Sequence, residues 1–384
     1  MVRVFVGTSH INTLYMILYA RKTFKEGFKD ILVLDSVPKK RSLIDLLVNT
    51  KKIYHWAGVI DLSLPVADES ELAPGLRKKI TRKLKTNVFV KPVYDILLSG
   101  YIKKKQKAEE NILRKKLASF GEVGEINLLT QTGINNALMA LYPAAKINYF
   151  EHGLGDYFFI QKMKPVNFTF YSVFADTFRN YLAKRGVPAD FVKDLLEGNS
   201  FSDVAQKVIE TDEDKEKILS SIKIEGKKVL IFLESMEIHN VLEPYWTDYL
   251  DLCISRVDNP KEYVFILKPH HNQTTRTIQL SKNYMLQRGL NTVLIENNLS
   301  LNYGAEVLYD TWKDSVKYVF STYSSALFYI SKLYGGAHTK YYYAFDFYAK
   351  YMKNTPLQYV EGYKGLNSLV KEVFSDNCTD ISPR

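Results

Sequence analysis

Three short segments, far apart in the chain, carry side chains suited to moving a proton and holding an anion. They are Glu151-His152-Gly153, Lys268-Pro269-His270 and Ser321-Thr322-Tyr323-Ser324-Ser325. A hydroxyl is too weakly acidic to ionise alone, and a positioned carboxylate such as Glu151 assists its deprotonation by typically ~10²–10⁴-fold. Gly153, lacking a β-carbon, lets the backbone turn and a substrate approach. Pro269 at a strand end stops the ladder and fixes the loop behind it, which holds His270 where it can donate to charge that develops on a departing group. Thr322, Ser324 and Ser325 precede or open a helix, and a helix start with free N–H groups and flanking hydroxyls is an anion site. Each segment also has a plainer reading: an exposed glutamate in a strand-end turn, a surface or capping histidine, and a serine that only caps its helix.

What joins the three is where they fall. Each follows an apolar, β-branched or aromatic run that reads as a buried strand: residues 145–150, 263–267 and 316–320. In open α/β sheets, ligands bind in the crevice at the carboxyl ends of the strands. The first half alternates strand and helix, with strands at 3–6, 31–34, 59–64, 125–129, 146–150 and 169–174 and helices to about residue 22 and over 133–141. A charge-rich interval, 198–226, breaks the rhythm and is the best boundary. A second alternating set follows at 228–233, 263–267, 292–295 and 316–320. This βαβα pattern predicts an α/β protein of two Rossmann-like domains facing a cleft, 1–200 and 201–384, each on a parallel sheet. The aromatic run 340–351 reads as an inter-domain helix or an amphipathic membrane contact.

The composition narrows the class. With 384 residues, 46% hydrophobic and 24% charged, the chain is that of a folded protein. No run of about 18 apolar residues exists, so no spanning helix is expected, and Met1-Val2-Arg3-Val4-Phe5-Val6 reads as a first strand and not a secretory signal. Cys253 and Cys378 stand alone without a Cys-x-x-Cys spacing, so neither a disulfide framework nor a metal is implied, and His55, His239 and His338 show no metal-ligand spacing with a carboxylate. No Gly-x-Gly-x-x-Gly follows the first strand and no Gly-x-x-x-x-Gly-Lys-Ser/Thr occurs, which argues against dinucleotide oxidoreductases and P-loop NTPases. Between residues 77 and 116, fourteen Lys/Arg face three acids, more than the whole chain's net charge of +10. Such a block attracts polyanions or anionic lipid; on charge alone it fits a polysaccharide, nucleic acid, a bilayer or a merely solvated helical face.

In order and placement the three segments resemble the signature of bacterial sialyltransferases of the two-domain glycosyltransferase-B type, most closely the capsule polysialyltransferases, over roughly residues 1–350. In that family an acidic-x-Gly segment supplies the base, a Lys-Pro-His-Pro-like segment a histidine facing the donor phosphate, and a Ser-Ser pair holds that phosphate. The resemblance therefore implies an inverting transfer of sialic acid from CMP-sialic acid to a sugar hydroxyl of an anionic oligo- or polysaccharide, extending a polysialic acid-type capsule polymer. Glu151 would be general base and His270 would stabilise the CMP leaving group. Gly153, Lys268, Pro269, Thr322, Ser324, Ser325 and Glu306 would surround the donor, Glu306 because the family often binds nucleotide with a helical glutamate; the bland reading of Glu306 is a solvated helix position. Ser9, His10, Arg77, Lys78, Lys79, Arg82 and Lys83 are the acceptor-side candidates. No cofactor and no metal are expected, since a departing monophosphate ester needs no divalent clamp. The expected partners include an anionic membrane or other capsule-assembly proteins but no nucleic acid, and the expected location is the cytoplasm, peripheral to the inner face of the membrane. The chain departs from the family pattern twice: His152 stands where a second acidic residue is common, and His271 where a proline follows the motif histidine. Two alternatives stay open: a transferase for another CMP-activated acid sugar (Kdo or pseudaminic acid), or a non-catalytic polyanion- or membrane-binding protein on the same scaffold.

Overall fold

The computed structural model describes residues 1–7, 10–34, 53–62, 107, 110–129, 134–151, 153–160, 168–197, 201–210, 216, 220, 222–233, 244–270, 273–295, 304–335, 338–352 and 357–383. The chain packs as two compact units. The first comprises residues 1–152, 162–175 and 188–195; the second comprises 153–161, 176–187 and 196–384. The last crossing from the first unit to the second falls at 195/196, beside the charge-rich interval, whose Phe201–Glu210 helix belongs to the second unit, with Phe201 and Ala205 buried.

In the first unit the β-branched and aromatic runs form β1 (Val2–Gly7), β2 (Lys29–Leu34), β3 (Gly58–Asp61), β4 (Val123–Leu129), β5 (Lys146–Phe150), β6 (Phe168–Ser172) and β7 (Val192–Asp194). They make one parallel sheet in the order β3-β2-β1-β4-β5-β6-β7. All six residues of β1 are buried, as expected of a strand covered on both faces. Against it lies the His10–Lys22 helix, whose residues 13–20 are all buried. The charged pair at the N-terminal edge is held inside: Arg3 donates to Asp30 at 2.7 and 2.6 Å and to the Thr23 hydroxyl at 2.7 Å, and the Tyr54 hydroxyl donates to Asp30. A buried ion pair survives only when its remaining hydrogen-bonding capacity is also met, and this network meets it.

The second unit is built on β8 (Lys228–Leu233), β9 (Val264–Pro269), β10 (Thr292–Leu294), β11 (Val316–Ser321), β12 (Lys340–Tyr343) and β13 (Thr379–Asp380). Its parallel order is β10-β9-β8-β11-β12-β13. This is the doubly wound arrangement in which the chain starts in the middle, runs to one edge and returns across the starting strand. One face carries Val229, Ile231, Leu233, Phe265, Leu267, Tyr318 and Phe320 in a single apolar cluster with the Tyr245–Ile254 helix. Strand alternation puts Lys268 and Ser321 on the opposite face. The aromatic run 340–351 corrects the expectation of one inter-domain or membrane-facing helix: it is β12 followed by the Phe345–Tyr351 helix, and Tyr341, Tyr343, Phe345, Phe347 and Tyr348 are buried within the second unit. Aromatic residues suit a half-buried pleated surface, and the Tyr348 ring meets Tyr245 edge-on at 5.8 Å.

Candidate active site

In the second unit the Lys-Pro-His segment ends β9 and the Ser-Thr-Tyr-Ser-Ser segment ends β11, on either side of β8. The strand order reverses between β8 and β11, the switch point at which open α/β sheets form their ligand crevice. The expectation that Pro269 stops the ladder needs correcting. In β9 the N–H of Val264 donates to Lys227 and that of His270 to Leu233 at 2.8 Å, so even-numbered residues bond toward β8. Odd-numbered residues bond toward β10: Phe265 donates to Asn291, and Ile295 donates to Leu267 where the pairing on that side ends among the described residues. The missing N–H of Pro269 therefore faces β10 one step past its last pairing, and the ladder with β8 runs on through His270. The loop then closes with Gln273 N–H donating to His270 C=O at 3.0 Å, and Thr274 caps the Thr275–Gln287 helix with its hydroxyl.

At the end of β11, Ser324 occupies the N-cap position of the Ser325–Leu333 helix, yet its side chain makes no capping bond. The Ser321 hydroxyl accepts from Ser324 N–H at 2.8 Å, just ahead of the helix. The plain capping role read for Ser324 is thus not played by its hydroxyl. Thr322 is wholly buried (0% exposed), and among the described residues its hydroxyl has no hydrogen-bond partner. Gly153 reaches the same helix start: a β-carbon there would lie 3.7 Å from the Ser325 hydroxyl. Glu306 is not the solvated position that its helix suggested. In the first turn of the Ala305–Asp310 helix it is buried, and burial pushes its carboxyl pKa up, while its own backbone N–H and the Lys268 charge pull it back. The structure thus brings Lys268 within electrostatic reach of Glu306.

In the first unit, Glu151 follows β5 directly and continues its pairing, donating its N–H to Tyr171 C=O at 2.9 Å. Its side chain is fully buried (0% exposed), which removes the reading of an exposed turn residue. One carboxylate oxygen, Oε2, accepts from the Ser172 hydroxyl at 2.6 Å and from Val173 N–H at 2.8 Å. Both donors come from the end of β6, the neighbouring strand, and fix the carboxylate's orientation. Ser172 and Gln273 were missed in the sequence: a serine ending the run Phe-Thr-Phe-Tyr-Ser and a glutamine two residues after His271 carry no motif of their own; the bond to Glu151 reveals the first, and burial without a partner among the described residues the second. The division between the units falls just after residue 152. Of the acceptor-side candidates, His10 begins the His10–Lys22 helix, while Ser9, Arg77, Lys78, Lys79, Arg82 and Lys83 lie outside the described residues, as do His152 and His271. Among the described residues no group of three His, Cys, Asp or Glu side chains could hold a metal ion, and no helix is long and apolar enough to cross a membrane.

Similarity to solved structures supports the architecture. A structure of UDP-GlcNAc 2-epimerase from Methanocaldococcus jannaschii matches with a TM-score of 0.50 at 13% identity, over 97% of this chain and 92% of that one. A structure of the M. jannaschii UDP-GlcNAc 2-epimerase in complex with UDP-GlcNAc and UDP matches with a TM-score of 0.50 at 12% identity, over 89% of this chain and 83% of that one. The fold is therefore the two-sheet α/β architecture of the glycosyltransferase-B type. Against curated proteins the sequence finds no match. The family model of alpha-2,8-polysialyltransferase (POLYST) matches residues 8–343, and the chain belongs to that family. It is a glycosyltransferase, and its chemistry is sialyl transfer.

Proposed function

We propose that this chain transfers sialic acid from CMP-sialic acid to a sugar hydroxyl of an anionic oligo- or polysaccharide, with inversion at the anomeric carbon. The Glu151 carboxylate takes the acceptor hydroxyl's proton as that oxygen bonds to the anomeric carbon. The bond from this carbon to the CMP phosphate oxygen breaks, and the electron pair leaves with the phosphate. His270 donates to the charge growing there, a stabilisation felt most in the transition state. The Ser325 helix start, with Thr322 and Ser324, cradles the phosphate, while Lys268 and Glu306 hold the nucleoside side. The basic stretch containing Arg77, Lys78, Lys79, Arg82 and Lys83 attracts the polyanionic acceptor, and the product is a polysialic acid-type capsule polymer made at the inner face of the membrane. The observation that carries this reading is the family match over 8–343, which encloses all three motif segments.

The test is CMP release from CMP-sialic acid, with and without an oligosialic acid acceptor and without added metal. Acceptor-dependent release is expected from the wild type. Glu151→Gln should lower it by roughly 10²-fold or more while CMP binding persists, and His270→Ala should lose both turnover and donor affinity. Release from CMP-Kdo or CMP-pseudaminic acid alone would move the reading to that sugar. A wild type that neither releases nor binds CMP would overturn it and favour the polyanion-binding alternative.

A further inference from the structure

Gln273 is 8% exposed, and among the described residues neither its amide oxygen nor its amide nitrogen has a hydrogen-bond partner. Leaving a buried polar group unsatisfied is costly, and such groups in folded proteins call for an explanation. The residue is fixed in place from both sides: its N–H is tied to His270 C=O, and the next residue, Thr274, caps the helix that follows. It stands in the loop after β9, and another buried group without a hydrogen-bond partner among the described residues, the Thr322 hydroxyl, stands in the loop after β11. Pro269 pairs with Leu233 of β8, and Phe320 of β11 pairs with Ile231. The two loops thus leave the sheet at one level, separated by the width of β8, on the order of 10 Å for two strand spacings. The two orphans differ in what they can receive. A threonine hydroxyl can donate to a phosphate oxygen. A primary amide has a donor and an acceptor side by side, and its matched partner presents an acceptor and a donor in the same plane.

We propose that the Gln273 side-chain amide contacts the pyrimidine edge of the donor nucleotide. This rests on the CMP-sugar reading above. Within a CMP-linked sugar the phosphate offers acceptors only, whereas the cytosine edge offers N3 as acceptor beside the N4 amino group as donor, and one amide satisfies both. The ribose diol is the other part of the donor with both capacities, and the experiment separates the two.

Gln273→Met keeps the length and approximate volume of the side chain and removes both polar atoms. Two readouts are taken together: the melting temperature of the unliganded protein, and binding of CMP, 2′-deoxy-CMP and ribose 5-phosphate by calorimetry. If the amide is unsatisfied until the nucleotide arrives, the variant melts about 2–4 °C higher, and binds CMP and 2′-deoxy-CMP roughly tenfold or more weakly, with ribose 5-phosphate unaffected. Equal weakening for ribose 5-phosphate would assign Gln273 to the sugar and overturn the base contact. A lower melting temperature with unchanged CMP binding would make Gln273 a structural residue satisfied within the protein, and would overturn the proposal while leaving the transferase reading intact. Absence of CMP binding by the wild type would remove both readings, and the wild-type titration shows this before any variant is compared.

Discussion

Glu306 illustrates how one buried carboxyl couples stability to pH. Its pKa is raised in the folded state by burial, so folding favours the protonated form. The contribution of such a group is fully present below its ordinary value of 4.5 and is lost as pH rises through the higher folded value. Glu306→Gln keeps the shape and removes the titration. The variant should match the wild type in urea midpoint near pH 4 and become the more stable of the two as pH rises toward 8; a constant difference across that range would count against the assignment. The same residue shows the reach of sequence reading at this scale. Residue type flagged Glu151, His270, Thr322 and Glu306, because their chemistry is explicit in the side chain. The burial of Glu151, Thr322 and Glu306 was not legible, since it depends on neighbours that only the fold brings in. Ser172 and Gln273 gave no signal at all: hydroxyls and amides are common, and only a partner across the sheet, or the lack of one, sets these two apart.

Elements were legible where the pattern was long and strong. The buried strands β1, β2, β4, β5, β8, β9 and β11 stand where apolar runs put them, differing by a residue or two at their ends. The short strands β7, β12 and β13 were not seen. Two or three residues at a sheet edge carry too little periodicity, and an aromatic run fits a helix face as readily as a strand. Pro269 was read rightly as a strand end but with the wrong reason, because the side to which a strand residue bonds is a property of register. At this scale the Arg3–Asp30 clamp gives a sharp expectation. It ties β1 to β2 with both side chains about 3% exposed, so removing one partner strands a buried charge. Arg3→Ala should cost about 3–5 kcal/mol of unfolding free energy, read from denaturant midpoints; a loss near that of an exposed ion pair, under ~1 kcal/mol, would show that water reaches the site.

For the whole molecule, charge is the property that sequence exposes best, since it needs no coordinates. The surplus of Lys/Arg between residues 77 and 116 predicts that reversing Arg77, Lys78 and Lys79 to glutamate weakens long oligosialic acceptors more than short ones and flattens the salt dependence of KM. Equal loss for both lengths would point to folding or to a membrane surface. What could not be read from the sequence is how the chain is shared between its two bodies. The second unit takes in the Gly155–Ile160 and Ala175–Ala183 helices from the first half. Tyr157, Phe178 and Leu182 are fully buried there; Lys332 donates to Thr177 at 2.9 Å, and Arg185 binds Glu372 through two bonds at 3.0 and 2.7 Å. A gene cut once near codon 196 would therefore yield a carboxyl-terminal fragment missing two of its own walls. Chimeras that exchange carboxyl-terminal halves between relatives must carry the 153–161 and 176–187 stretches along with the half they complete. A ribosome likewise releases those helices long before the partners that cover them exist.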